Sequence, residues 1–187
     1  MTWTRRVAGA LHGTGLIYRF DERAWAYFDF SARGFWNAYI VAVILAPLQL
    51  GHRLLIFDPE KDTLGFVPYA IVEVLSYIVT WTLFPFVMLY IGRLLGRLPR
   101  FFFYMVPYLW MQLPMGLVLF GAQILVDFGF LPAEMMDPLN LGMIAAYAIY
   151  GTFVAGMGLQ IATGTALALV VLDYVLGMLA FQIISQI

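Results

Sequence analysis

Two residues stand out for the chemistry they could carry, Glu73 and Asp173. Each is the only charged side chain in a long apolar stretch: residues 63–92 hold Glu73 alone, and residues 138–187 hold Asp173 alone. A carboxyl group in apolar surroundings is costly, so it marks an ion path, a proton relay or a buried pairing. Two other residues belong to the same problem. Arg53 can pair with Glu73, and Asp127 can pair with Arg53. Asp173 can instead remain protonated and hydrogen-bond to a neighbouring helix, because burial favours the uncharged form. A relay between the two acids would need polar groups between them, and Ser76, Tyr77, Thr80, Thr82, Gln112, Gln123 and Gln182 are available.

Much other chemistry is excluded. The chain has no cysteine, which removes disulfides, thiolate catalysis and cysteine-ligated metals. Its two histidines, His12 and His52, lie far apart without ligand-like spacing. Phosphate-binding loops, H-E-x-x-H, G-x-S-x-G and dinucleotide fingerprints are missing. The expectation is a protein that is not an enzyme and needs no cofactor or metal. A net charge of −1 supplies no overall attraction to nucleic acid.

The elements that must position these residues follow from composition. Of 187 residues, 63% are hydrophobic and only 11% are charged. Soluble domains carry about 25% charged residues, so lipid is the expected solvent. A spanning helix needs about 20 apolar residues to cross about 30 Å of hydrocarbon. The charge-poor stretches predict an all-α integral membrane protein with five transmembrane helices, at about 35–55, 66–92, 101–130, 139–161 and 166–187. The last two come from one apolar stretch, divided at "QIATGT" (Gln160 to Thr165), where Gly164 is available for a tight turn. Pro47, Pro68, Pro85, Pro107 and Pro114 predict kinks. Residues 1–33 form a separate N-terminal segment. "LIYRFDERAWAYFDFSA", residues 16–32, mixes charges with aromatics and places Phe20, Ala24, Tyr27, Phe28 and Ser31 on one helical face. This predicts an interfacial amphipathic helix that turns at Gly34 into the first span. No cleavable signal peptide is expected, because glycines, His12 and Arg19 interrupt the early apolar run.

Topology follows from the cations. Arg5, Arg6, Arg19, Arg23, Arg33, Arg93, Arg97 and Arg100 fall on one side of five spans, against Arg53 and Lys61 on the other. That asymmetry predicts a cytoplasmic N-terminus and a C-terminus on the opposite side. Arg93, Arg97 and Arg100 lock this topology against anionic headgroups, and a specific lipid or phosphate site there is the sharper alternative. The preference for arginine over lysine points to a bacterial inner membrane. By depth, Glu73 lies about 10 Å from the outer face and Asp173 about 10 Å from the inner one, so direct contact is not expected.

The fourth span carries small residues four apart, Ala148, Thr152 and Gly156 with Gly151 and Ala155, a pattern that lets helices approach closely. Gly177 lies one turn beyond Asp173 and predicts close backbone approach there. Asp173 is therefore expected to reach the fourth span, with Thr152 offering a hydroxyl, or a partner's helix.

"YIGRLLGRLPRFFFYMVPYLWMQLP", Tyr90 to Pro114, resembles the middle of Yip1-type membrane proteins, in which a short basic loop leads into a segment of Tyr, Trp and Pro. Five spans and a cytoplasmic N-terminus are similar too. The resemblance covers about 25 residues and implies an all-helical, non-enzymatic protein. Eukaryotic relatives act in vesicle trafficking with small GTPases, but the long polar N-terminal domain of those relatives is not found here, so that role is not carried over. The expected function is a scaffold or accessory subunit that contacts membrane lipids and a membrane-protein partner or a second copy. The alternative is a small transporter or channel component using the intramembrane carboxylates.

Overall fold

The computed structural model describes residues 3–59 and 65–184, apart from the side chains of residues 181 and 184. Lys61, counted in the topology argument, lies outside the described residues. The regular elements are all helical: α1 Trp3–Ile17, a 3-10 turn Glu22–Tyr27, α2 Ala32–Ala38, α3 Ile40–Leu55, α4 Phe66–Leu94, α5 Phe101–Asp127, α6 Met136–Leu159 and α7 Thr163–Ile184, with short 3-10 turns before α5 and α6. No strand forms among the described residues. Among the described residues five stretches are long and apolar enough to cross a membrane: Ala32–Leu55, Phe66–Leu94, Leu98–Asp127, Ala133–Leu159 and Thr163–Ala180. Each overlaps one expected span, with ends that differ by up to seven residues, and the expected end at residue 187 lies outside the described residues. Charge-free length is a strong signal because a spanning helix must satisfy all its backbone groups internally.

The first half of α5 is the centre of the molecule. From Phe101 to Met111 almost every side chain is buried, which a helix apolar on all sides requires. α3 and α6 flank α5, α4 packs on α3 and α7, and α7 closes on α6. The core lies at one end of the bundle, the end that carries Arg93, Arg97 and Arg100. There Leu45, Phe84, Met88, Val154, Leu159 and Leu169 close on α5. Toward the other end the outward faces are exposed and apolar, as at Ile71, Leu75, Val118, Leu141, Val175 and Met178.

The N-terminal segment departs from expectation. No single helix runs through residues 16–32. Instead α1 ends at Ile17, and Phe20 adopts the left-handed conformation at φ 55°. The amide of Asp21 then donates to the Leu16 carbonyl, closing a helix C-terminus of the Schellman type. The Asp21 carboxylate accepts from the Arg23 amide and starts the 3-10 turn. The same carboxylate pairs with the Arg23 guanidinium at 2.6 Å, which holds its pKa at about 2. Of the glycines in α1, Gly13 has a packing role, since a Cβ there would lie 3.0 Å from the Phe28 ring, whereas a Cβ at Gly15 would meet nothing within 4 Å.

Two turns also differ. Ser31 caps α2, its hydroxyl accepting from the Gly34 amide. Gly34 therefore sits inside the helix rather than at the turn, and a Cβ there would come within 1.8 Å of the Asp29 carbonyl oxygen. Between α6 and α7 the left-handed residue is Gln160, at φ 54°, and Gly164 belongs to the first turn of α7. Pro68 lies in the first turn of α4, where no helical partner is lost.

Candidate functional site

Asp173 sits ten residues into α7, about 15 Å from its start. The Tyr108 hydroxyl of α5 donates to its Oδ2 at 2.8 Å, and the Tyr147 hydroxyl of α6 donates to the same oxygen. One carboxyl thus ties three helices together. Oδ1 accepts no hydrogen bond among the described residues. Around this point Phe84, Tyr104 and Tyr108 stack edge and face, with centroid separations of 5.1–6.2 Å. The cluster is aromatic and packed.

The contact of Asp173 with the fourth span is made by Tyr147, and Thr152 takes no part in it. The Thr152 hydroxyl is buried without a hydrogen-bond partner among the described residues. The reason is helical phase: Tyr147 and Thr152 are five residues apart, which at 3.6 residues per turn puts them on different faces. Among the described residues no other backbone approaches Gly177, since a Cβ there would meet nothing within 4 Å.

Glu73 and Asp127 belong to the opposite end of the bundle. Arg53, in the last turn of α3, donates to Glu73 of α4 at 3.2 Å. Asp127 finds His52, whose Nδ1 lies 2.8 Å from Oδ2, and its other oxygen accepts from Gln123. His52 carried no motif, so sequence reasoning passed over it. Its position beside Arg53 in the last turn of α3 was the available signal. The two pairs join α3 to α4 and α3 to α5, so they brace the end where apolar packing is sparse.

The arginine cluster divides. Arg93 and Arg97 are exposed. Arg100 is not a free headgroup ligand: its Nε donates to the Gly158 carbonyl at 2.7 Å, and its guanidinium lies 4.9 Å from the centre of the Phe103 ring. It satisfies the carbonyls at the C-terminus of α6, where a cation is favoured. The small residues of α6 pack inside the chain. A Cβ at Gly151 would lie 3.0 Å from Val170 of α7, whereas at Gly156 contact is ordinary at 3.9 Å. Ala155 is fully buried and Ala148 half-buried. The tightest approach is at Gly158, outside the expected pattern, where a Cβ would lie 2.7 Å from the Tyr104 Cα.

The N-terminal segment packs onto this same end. The Tyr18 hydroxyl donates to the Met111 carbonyl at 2.7 Å, and the Trp25 indole donates to the Phe103 carbonyl at 3.1 Å. Phe20 stacks on Tyr150 of α6. Among the described residues no group of His, Asp and Glu is arranged to hold a metal ion. No protein-family model, curated protein or solved structure matches the chain.

Proposed function

We propose that this chain spans a membrane five times, with its arginine end in the cytoplasm, and acts as a non-catalytic scaffold or accessory subunit. The observation that carries this reading is the commitment of its carboxylates. Glu73, Asp127 and Asp173 each bind a side chain of a neighbouring helix and so brace the bundle. What the molecule offers outward is helix surface, apolar on α4 and α7 at Ile71, Leu75, Val175 and Met178. Such faces meet lipid, a partner's helix or a second copy. The absence of cysteine makes the test clean. Single cysteines at Leu75 and Val175 are introduced and oxidised in native membranes. A discrete cross-linked species from either position is expected, and purely monomeric chain from both overturns the reading. Topology is tested by phosphatase fusions, which should be active in the 131–138 loop and inactive in the 93–100 loop.

The second reading, a transporter or channel component, keeps one supporting observation. Both tyrosine hydroxyls converge on a single oxygen of Asp173, which leaves Oδ1 able to take a proton or cation. Loss of a transport phenotype in Asp173→Asn at normal abundance would favour it over the scaffold.

A further inference from the structure

Beneath α1 lies a cavity of about 350 Å³. Its apolar walls include Val106 and Trp110 of α5, Ala10 of α1, and Phe28. All four are buried. Trp3, Arg5 and Arg6 of the first turn of α1 line it as well, and Asn37 of α2 adds an amide. Arg6 stands 3.8 Å from Asp29, which also lines the cavity. Among the described residues Arg5 has no hydrogen bond or ion pair.

We propose that this cavity binds the phosphodiester headgroup of an anionic phospholipid, together with the first part of an acyl chain. Two guanidinium groups against one carboxylate leave a single positive charge in the lining, which matches a monoanionic phosphodiester. Arginine suits that ligand because its planar fork donates two parallel hydrogen bonds to phosphate oxygens. A free phosphate ion accounts for the arginines but leaves the exposed apolar lining at Trp3, Ala26 and Tyr27 facing water, whereas a chain running from the phosphate covers it. The volume lies at the lower end of ligand sites, roughly 300–1,000 Å³, so the remaining chain continues outside. Depth agrees. Val106 and Trp110 lie about 7 and 13 Å along α5 from Phe101. With α5 about 40 Å long and hydrocarbon about 30 Å thick, a centred helix meets the boundary about 5 Å along it, so Val106 lies just inside the hydrocarbon and Trp110 about 8 Å deep, where the first part of an acyl chain runs. Trp3, beside the two arginines, suits the boundary.

Taking a lipid as the source of the phosphate rests on the membrane reading above. Retention of the chain in carbonate-washed membranes tests that reading separately. The site itself is tested by native mass spectrometry of the whole protein in neutral detergent, titrated with phosphatidylglycerol or phosphatidylcholine. The wild type is expected to retain one phosphatidylglycerol in preference to phosphatidylcholine. Arg5→Gln with Arg6→Gln should weaken that first binding step by about tenfold or more, since both charge-assisted contacts to the phosphate are lost. Ala26→Phe, at an exposed lining position, should do the same without changing charge. Arg93→Gln with Arg97→Gln should retain the lipid. Wild-type binding in the double arginine variant, or in Ala26→Phe, overturns the site, and so does equal retention of phosphatidylcholine. Should the double variant fail to run as a single species, Arg5→Gln alone decides, because Arg5 is exposed and its loss breaks no contact. Full displacement of phosphatidylglycerol by millimolar inorganic phosphate would assign the site to soluble phosphate and overturn the lipid.

Discussion

Arg100 and Gly158 lie 58 residues apart in the chain, yet the guanidinium Nε sits 2.7 Å from the glycine carbonyl oxygen. The bond fixes the basic turn before α5 to the end of α6. It places Arg100 in the bundle's own architecture, while Arg93 and Arg97 stay exposed. Arg100→Ala removes a charge-assisted bond and the cation at a helix C-terminus, and is expected to cost about 1–3 kcal/mol. Arg93→Ala should stay within about 0.5 kcal/mol. Unfolding in detergent followed by circular dichroism compares the two. Equal effects would refute the distinction.

Asp173 separates size from charge. Asp173→Asn keeps an oxygen that accepts from both Tyr108 and Tyr147, so stability should change little. Asp173→Leu strands two hydroxyls and should destabilise by about 1–3 kcal/mol for each group left unsatisfied. Tyr147→Phe removes one donor and should fall between them. Thermal midpoints of the three variants give the order, and an Asn variant as damaged as Leu would show that the charge matters.

Glycines in α6 and α7 make opposite predictions. At Gly158 an added methyl meets the Tyr104 backbone at 2.7 Å, so Gly158→Ala should cost about 1–3 kcal/mol despite better helix propensity. At Gly177 the space is open, and Gly177→Ala should be neutral or stabilise by about 0.5–1 kcal/mol. Midpoints that move together would contradict this account of the packing.

Tyr18 gives a pH dependence. Burial raises its phenol well above the ordinary 10.0, and the neighbouring Tyr150 adds to the shift. A raised folded-state value means the contribution is complete below pH 10 and is lost as pH rises above it. Stability should therefore decline on the alkaline side, and Tyr18→Phe should flatten that decline. At neutral pH the variant loses the bond to Met111 and should cost about 0.5–1.5 kcal/mol. Midpoints measured from pH 8 to 11 test both statements.

The five long apolar helices were legible from charge spacing alone, because a span is defined by its own length and solvent. The Arg53–Glu73 pair was legible only as one of two pairings open to Arg53, since Glu73 and Asp127 both lay near that end of the bundle and helix rotation decided between them. The N-terminal segment was not legible. Gly13 reads as a helix breaker until the Phe28 ring is brought against it, and the left-handed backbone at Phe20 accompanies a ring packed on Tyr150 and Phe153 of α6, far away in the chain. The partners of Asp173 and Asp127 were hidden for a related reason. Tyr108 and Tyr147 carry no sequence signal of pairing and His52 only its place beside Arg53, and their choice depends on the rotation of one helix about its axis relative to the next. Length and hydropathy determined which segments are helices. Only tertiary packing set their rotation, because it is fixed by side chains far apart in the chain filling the same space.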